Sequence, residues 1–154
     1  MNRRRRDWLV VLGAVVVGGS FVASRVQAAA PKGQFTDHLD GTVTDNRTKL
    51  LWQRNMQANP QSSWSDAKTH CTDLLLNGKG WRLPNVKELQ TILDRTTGVS
   101  PAVDPNFFWG TIGSWYWTAT QATAPKAWAV DFGQGAVMPL TATDKSYYRC
   151  VHSP

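Results

Sequence analysis

Apolar residues recur at helical spacing after Ser63, where Trp64, Ala67, Cys71 and Leu74 form one stripe. Ser63 is placed to cap this helix and Asp66 sits at the favourable third position; Leu75-Leu76-Asn77-Gly78 ends it. Trp81-Arg82-Leu83 is an extended apolar segment that Pro84 terminates. Asn85 then caps a second helix, predicted from Val86 to about Asp94, and Glu88 stands where a capping box needs it. Val86, Leu89, Ile92 and Leu93 face inward on that helix.

Strand patterns lie on either side. Asp40-Gly41 is a turn signal, and Thr42–Asp45 and Leu50–Gln53 read as a hairpin around Asn46-Arg47-Thr48-Lys49. Asn46-Arg47-Thr48 also matches a glycosylation acceptor, but a turn accounts for it better. Further strands are predicted at 116–120, 127–132, 136–140 and 147–152, with Gly133-Gln134-Gly135 as a turn. On the second of these, Trp128, Val130 and Phe132 share one face and Ala127, Ala129 and Asp131 the other. Residues 96–113 carry Pro101, Pro105, Gly110 and Gly113, and a loop this long is either functional or unusually well packed. A hairpin, two helices, a long loop and an antiparallel sheet give an α+β domain.

The first 28 residues do not belong to that domain. Arg3 to Arg6 form a charged head, Trp8 to Ala23 is an apolar run, and Val26-Gln27-Ala28 offers the small residues of a signal-peptidase site. Cleavage is expected after Ala28, which leaves a short lead-in at 29–34 and a single domain at 35–154. An uncleaved inner-membrane anchor is the alternative, and membrane contact is expected only through that retained segment. Arg5-Arg6-Asp7-Trp8-Leu9 resembles a twin-arginine signal, and an ordinary secretory head with surplus arginines fits equally well.

Setting the segment aside changes the charge balance from +6 to 12 basic against 10 acidic residues, a net of +2. Nucleic acid is therefore not an expected partner. Two cysteines, Cys71 and Cys150, in an exported bacterial-style chain suggest one disulfide.

The motifs Asp40-Gly41-Thr42-Val43-Thr44-Asp45-Asn46, Leu51-Trp52, Trp64-x-x-Ala67 with Cys71, Trp81-Arg82-Leu83-Pro84-Asn85 with Glu88-Leu89, Tyr116-Trp117-Thr118-Ala119-Thr120, Ala127-Trp128-Ala129-Val130-Asp131-Phe132 and Arg149-Cys150-Val151 occur in that order. Together they resemble the domain family at the C-terminus of the Legionella collagen-like adhesin, over roughly residues 35–152. That family is similar in fold to C-type-lectin-like domains, where a first-helix cysteine pairs with one in the last strand; Cys71 and Cys150 occupy those places. The resemblance implies an extracytoplasmic binding module, periplasmic or on the cell surface, and the adhesin member is associated with sulphated glycosaminoglycans. This sequence has no collagen-like repeat, and a net +2 supplies little positive field for sulphated chains. The calcium-ligating triplets of sugar-binding C-type lectins are missing too.

Seven tryptophans follow residue 28. Core packing is expected for Trp52, Trp64, Trp81, Trp117 and Trp128. Trp109 and Trp115 flank the glycines of the long loop and are candidate ligand contacts, by stacking on a sugar ring or anchoring a partner protein. Lys126 and Lys145 are candidate contacts for anionic groups if their loops lie together, against the plainer reading of solvated lysines. Asp37, Asp40 and Asp45 lack the spacing of a calcium loop and read as turn residues.

Adjacent helical residues point about 100° apart, so His70 is poorly placed to activate Cys71. His152 shares a strand face with Cys150. Free thiols there would suit copper or zinc. Formylglycine-generating enzymes, which the Arg82-Leu83-Pro84 corner also resembles, use two cysteines and copper, but theirs lie close together near the C-terminus. A structural disulfide is the preferred account, and no catalytic residue, metal or cofactor is expected. The predicted function is non-enzymatic binding of a glycan or envelope protein, by the 96–115 loop and neighbouring strand ends. The alternative is a subunit of an envelope assembly, and oligomerisation is compatible with both.

Overall fold

The computed structural model describes residues 28–56, 60–96 and 98–153. Apart from its last residue, Ala28, the expected export signal lies outside the described residues. The chain forms a small α+β domain with two helices and two antiparallel sheets. The first sheet has the order β1-β2-β3-β8-β4, built from β1 (Phe35–Asp37), β2 (Thr42–Asp45), β3 (Leu51–Gln53), β8 (Val151–His152) and β4 (Trp81–Arg82). The second is a meander of β5 (Trp115–Gln121), β6 (Lys126–Asp131) and β7 (Val137–Thr141). Among the described residues no helix is long and apolar enough to cross a membrane.

Local signals set the helix starts. Ser63 Oγ accepts from Asp66 N at the start of α1 (Trp64–Thr72). Asn85 Oδ1 accepts from Glu88 N, and Glu88 Oε2 accepts from Asn85 N, completing the capping box of α2 (Val86–Gln90). The latter helix stops at Gln90, short of the predicted Asp94, because Ile92 and Leu93 continue as turn and irregular backbone packed on the core. Asp37, Asp40 and Asp45 accept from backbone N–H groups two residues on, as turn residues do.

Two corrections concern the sheets. The lead-in to the hairpin forms β1, which the sequence pattern leaves as irregular chain, because Thr36 pairs with Thr44 across β2. The predicted final strand at 147–152 divides: Tyr147 bridges to Tyr116 of the second sheet, whereas Val151 pairs with Trp52 and Arg82 in the first. Cys150 sits at that division and is bonded to Cys71, which ties α1 to the seam between the sheets.

The second sheet is covered on both faces. Tyr116 and Val130 join a cluster with Leu89, Ile92, Phe108 and Trp52, on the α2 side. Trp117, Ala127 and Ala129 join Ala67, Cys71 and Trp81, on the α1 side. The alanines of β6 thus give room for Trp117 and the first helix.

Candidate functional site

The long loop is well packed over most of its length. Ala102, Val103 and Phe108 are buried, Ala102 N donates to Phe132 O, and Asp104 O accepts from Phe107 N and Phe108 N. Its tip is fixed from below by Arg149, a fully buried guanidinium. Nη1 donates to the carbonyls of Gln53 and Arg54, Nη2 donates to Thr111 Oγ1 at 2.7 Å, and the plane lies over the Phe108 ring. Among the described residues no carboxylate lies within ion-pair distance, and burial pushes its pKa down to about 10. In the sequence Arg149 stands in a motif with Cys150 and Val151, but its role depends on Gln53, Arg54, Phe108 and Thr111, which only the fold brings to it. Trp109 and Ile112 emerge at the tip, 48% and 47% exposed.

The four sequence-predicted contact residues do not form one site. Trp115 is half-buried against the cluster around Ala67 and Trp117, and it pairs with Asp131 at one end of the β5–β6 ladder. Lys126 is at the other end, about 17 Å away along a six-residue strand. The loops carrying Lys126 and Lys145 do adjoin, since Ala142 N donates to Pro125 O. Lys145, however, turns to Asp66 at 3.6 Å, on the α1 side. A hydrogen bond involving Ser63, with a further contribution from Lys145, holds the Asp66 carboxyl below its usual range.

The expectation of core packing holds for Trp52, Trp81 and Trp117, which are at most 2% exposed. It holds in part for Trp64, which is half-buried and packs against the core, and is corrected for Trp128, which is half-buried. Trp64 leans on the second cluster, donates Nε1–H to Thr118 O at 2.7 Å and carries Lys68 Nζ 3.7 Å above its ring. Trp128 belongs to neither core cluster.

Trp128 instead stands between two surface grooves. One, of about 440 Å³, is lined with Asn85, Val86, Lys87, Thr120 and Val137. The other, also about 440 Å³, is lined with Gln121, Ala122, Thr123, Lys126 and Pro139. The local cause is a bulge in β5. Trp117 pairs with Ala129 and Gln121 with Ala127, so three residues, Thr118, Ala119 and Thr120, oppose the single Trp128. Thr118 Oγ1 donates to Trp128 O at 2.8 Å, and Thr120 Oγ1 accepts from Val86 N at the start of α2. The second helix has only five residues, so it covers Val130 but leaves the indole partly open. Bulges concentrate beside functional sites because they re-aim side chains.

Chemically, this surface offers an aromatic face with threonine and amide groups around it and one lysine in each groove. The Arg82 guanidinium anchors its helical wall through Nη1 and Nη2, 2.8 and 2.7 Å from the Glu88 carboxylate. Among the described residues no group of three or more His, Cys, Asp or Glu side chains is placed to hold a metal. Thiol chemistry at Cys71 or Cys150 would require free sulfurs, and the two are bonded to each other. His70 stacks on Tyr148 with ring centroids 5.5 Å apart.

No curated protein matches the chain. The family model of the Lcl C-terminal domain matches residues 41–152, which includes every strand after β1, both helices, the disulfide and the Trp128 surface. The chain therefore belongs to the Lcl C-terminal domain family.

Proposed function

We propose that this chain is an exported, non-enzymatic binding module that recognises a glycan of the cell envelope or surface through Trp128. The observation that carries this reading is the half-open indole opposite the β5 bulge, with a groove on each side. A pyranose ring has an apolar face that stacks on an aromatic side chain, and hydroxyls that suit threonine, glutamine and lysine. Membership of a family named for an adhesin domain supports an extracytoplasmic setting. The proposed fold remains C-type-lectin-like, and the contacts move from the 96–115 loop to Trp128 and Lys126.

The test is a glycan array, including sulphated polysaccharides, probed with protein beginning at Ala29. Trp128→Ala is expected to weaken specific binding by about tenfold, the worth of one aromatic stack. Trp109→Ala is expected to leave it unchanged. A blank array from folded protein, or a loss confined to Trp109→Ala, refutes the assignment.

A second reading, a subunit of an envelope assembly, draws on exposed Trp109 and Ile112 at the tip of a rigidly held loop. A molar mass that rises with concentration, and falls back in Trp109→Ala, supports it.

A further inference from the structure

The lead-in before β1 is seated on two carboxylates. Ala30 N donates to Asp104 Oδ2 at 2.9 Å, and Ala29 N lies 3.3 Å from Asp94 Oδ2. Asp104 is only 5% exposed. Among the described residues neither carboxylate has a lysine or arginine nitrogen within 4.0 Å. The segment is held in place beyond these contacts: Gln34 N donates to Pro31 O, and Asn46 Nδ2 donates to Gly33 O at 3.0 Å. A cavity of about 510 Å³ opens beside it, with Arg47 and Arg95 also on its walls.

We infer that Ala28–Ala29 is a processing site and that the α-ammonium released on Ala29 is captured by Asp94, with Asp104 beside it. Hydrolysis by a signal-peptidase-class protease adds water across the bond. Ala28 leaves as a carboxylate, and the Ala29 nitrogen becomes an amine that takes up a proton. A neutral N–H donor is thereby replaced by a cation next to acids that, among the described residues, form no ion pair with a lysine or arginine. Charge-assisted hydrogen bonds are roughly twice as strong as neutral ones. Processing therefore completes the fold at this edge and locks the lead-in against the segments that carry Asp94 and Asp104.

Asp94 is ready for that role. Hydrogen bonds from the Thr96 hydroxyl and backbone hold its carboxyl below the usual range, so it stays ionised. The charged groups facing the amine are Asp94 and Asp104, with Arg47 and Arg95 on the cavity walls and Lys32 on its own segment. A free α-amino group titrates near ~8. Its partner raises that value, so the stabilisation is complete below ~8 and lost as pH rises through the higher folded value.

The inference rests on the export part of the proposed function and not on glycan binding. The full precursor is expressed in an exporting bacterium and the recovered protein sequenced from its N-terminus; Ala29 is expected first. Thermal unfolding is then compared for protein beginning at Ala29, the same protein with Gly-Ser added in front, and Asp94→Asn. The authentic terminus is expected to melt about 1–4 °C above the extended one at pH 6.5. That gap should vanish at pH 10.5 and in the Asp94→Asn background. A different first residue, or an uncleaved chain, overturns the processing site. Equal melting of the two termini at pH 6.5, or a gap that persists at pH 10.5, overturns the capture while leaving export intact.

Discussion

Replacing both Cys71 and Cys150 by alanine is expected to remove about 6–7 kcal/mol, roughly two-fifths or more of the domain's stability. The bond closes a loop between residues 79 apart in sequence. On the chain-entropy model, closing about 80 residues restricts the unfolded ensemble by about 15 cal/mol/K, or about 4.5 kcal/mol at 25 °C. Both cysteines are at most 1% exposed, so each truncation also loses core packing of about 1 kcal/mol. Domains of this size have about 5–15 kcal/mol in total. For the ~126 residues from Ala29 onward, an entropy of unfolding near ~2.1 cal/mol/K per residue converts the loop contribution to about 15–20 °C in Tm. The assay is urea unfolding of the oxidised protein and the double variant. Because the cross-linked chain stays more compact when unfolded, the variant should show a larger m value together with its lower midpoint. A loss below about 1 kcal/mol with an unchanged m would refute the reasoning, since the bond would then not be restraining the unfolded chain.

Glu88→Gln tests the corner before α2. Burial pushes the Glu88 carboxyl up, but the bidentate Arg82 pair and the Asn85 N–H outweigh it and hold the value below ~4.5. The pair's stabilisation is thus complete above about pH 4.5 and lost as pH falls through the lowered folded value. With Arg82 40% exposed, the variant should lose about 1 kcal/mol at pH 7 and progressively less as pH falls below ~4.5, read from denaturation midpoints. Arg149→Lys replaces a fork that reaches Gln53 O, Arg54 O and Thr111 Oγ1 by one ammonium. A loss of about 2–3 kcal/mol is expected, with faster amide hydrogen exchange at Thr111 and Ile112; unchanged exchange would show that Arg149 does not hold the loop tip.

What the sequence determined on its own is local or paired by chemistry. The caps at Ser63 and Asn85 are legible because a side-chain oxygen and an N–H three residues on need nothing else to meet. The hairpin follows from turn residues between short strand patterns, and two cysteines leave one partner each. Order along the chain was enough to place the family. Tertiary structure decided the rest. Whether Trp128 is core or surface depends on how far a five-residue helix, arriving from forty positions earlier, extends over β6. The β5 bulge opposite it is a matter of register between strands, which no single strand encodes. The separation of Trp115 from Lys126 follows from an antiparallel pairing that sends their ends apart, and the pull of Asp66 on Lys145 from helix packing. Burial is a property of what arrives from elsewhere, so the same indole pattern reads alike in sequence whether or not a neighbour covers it.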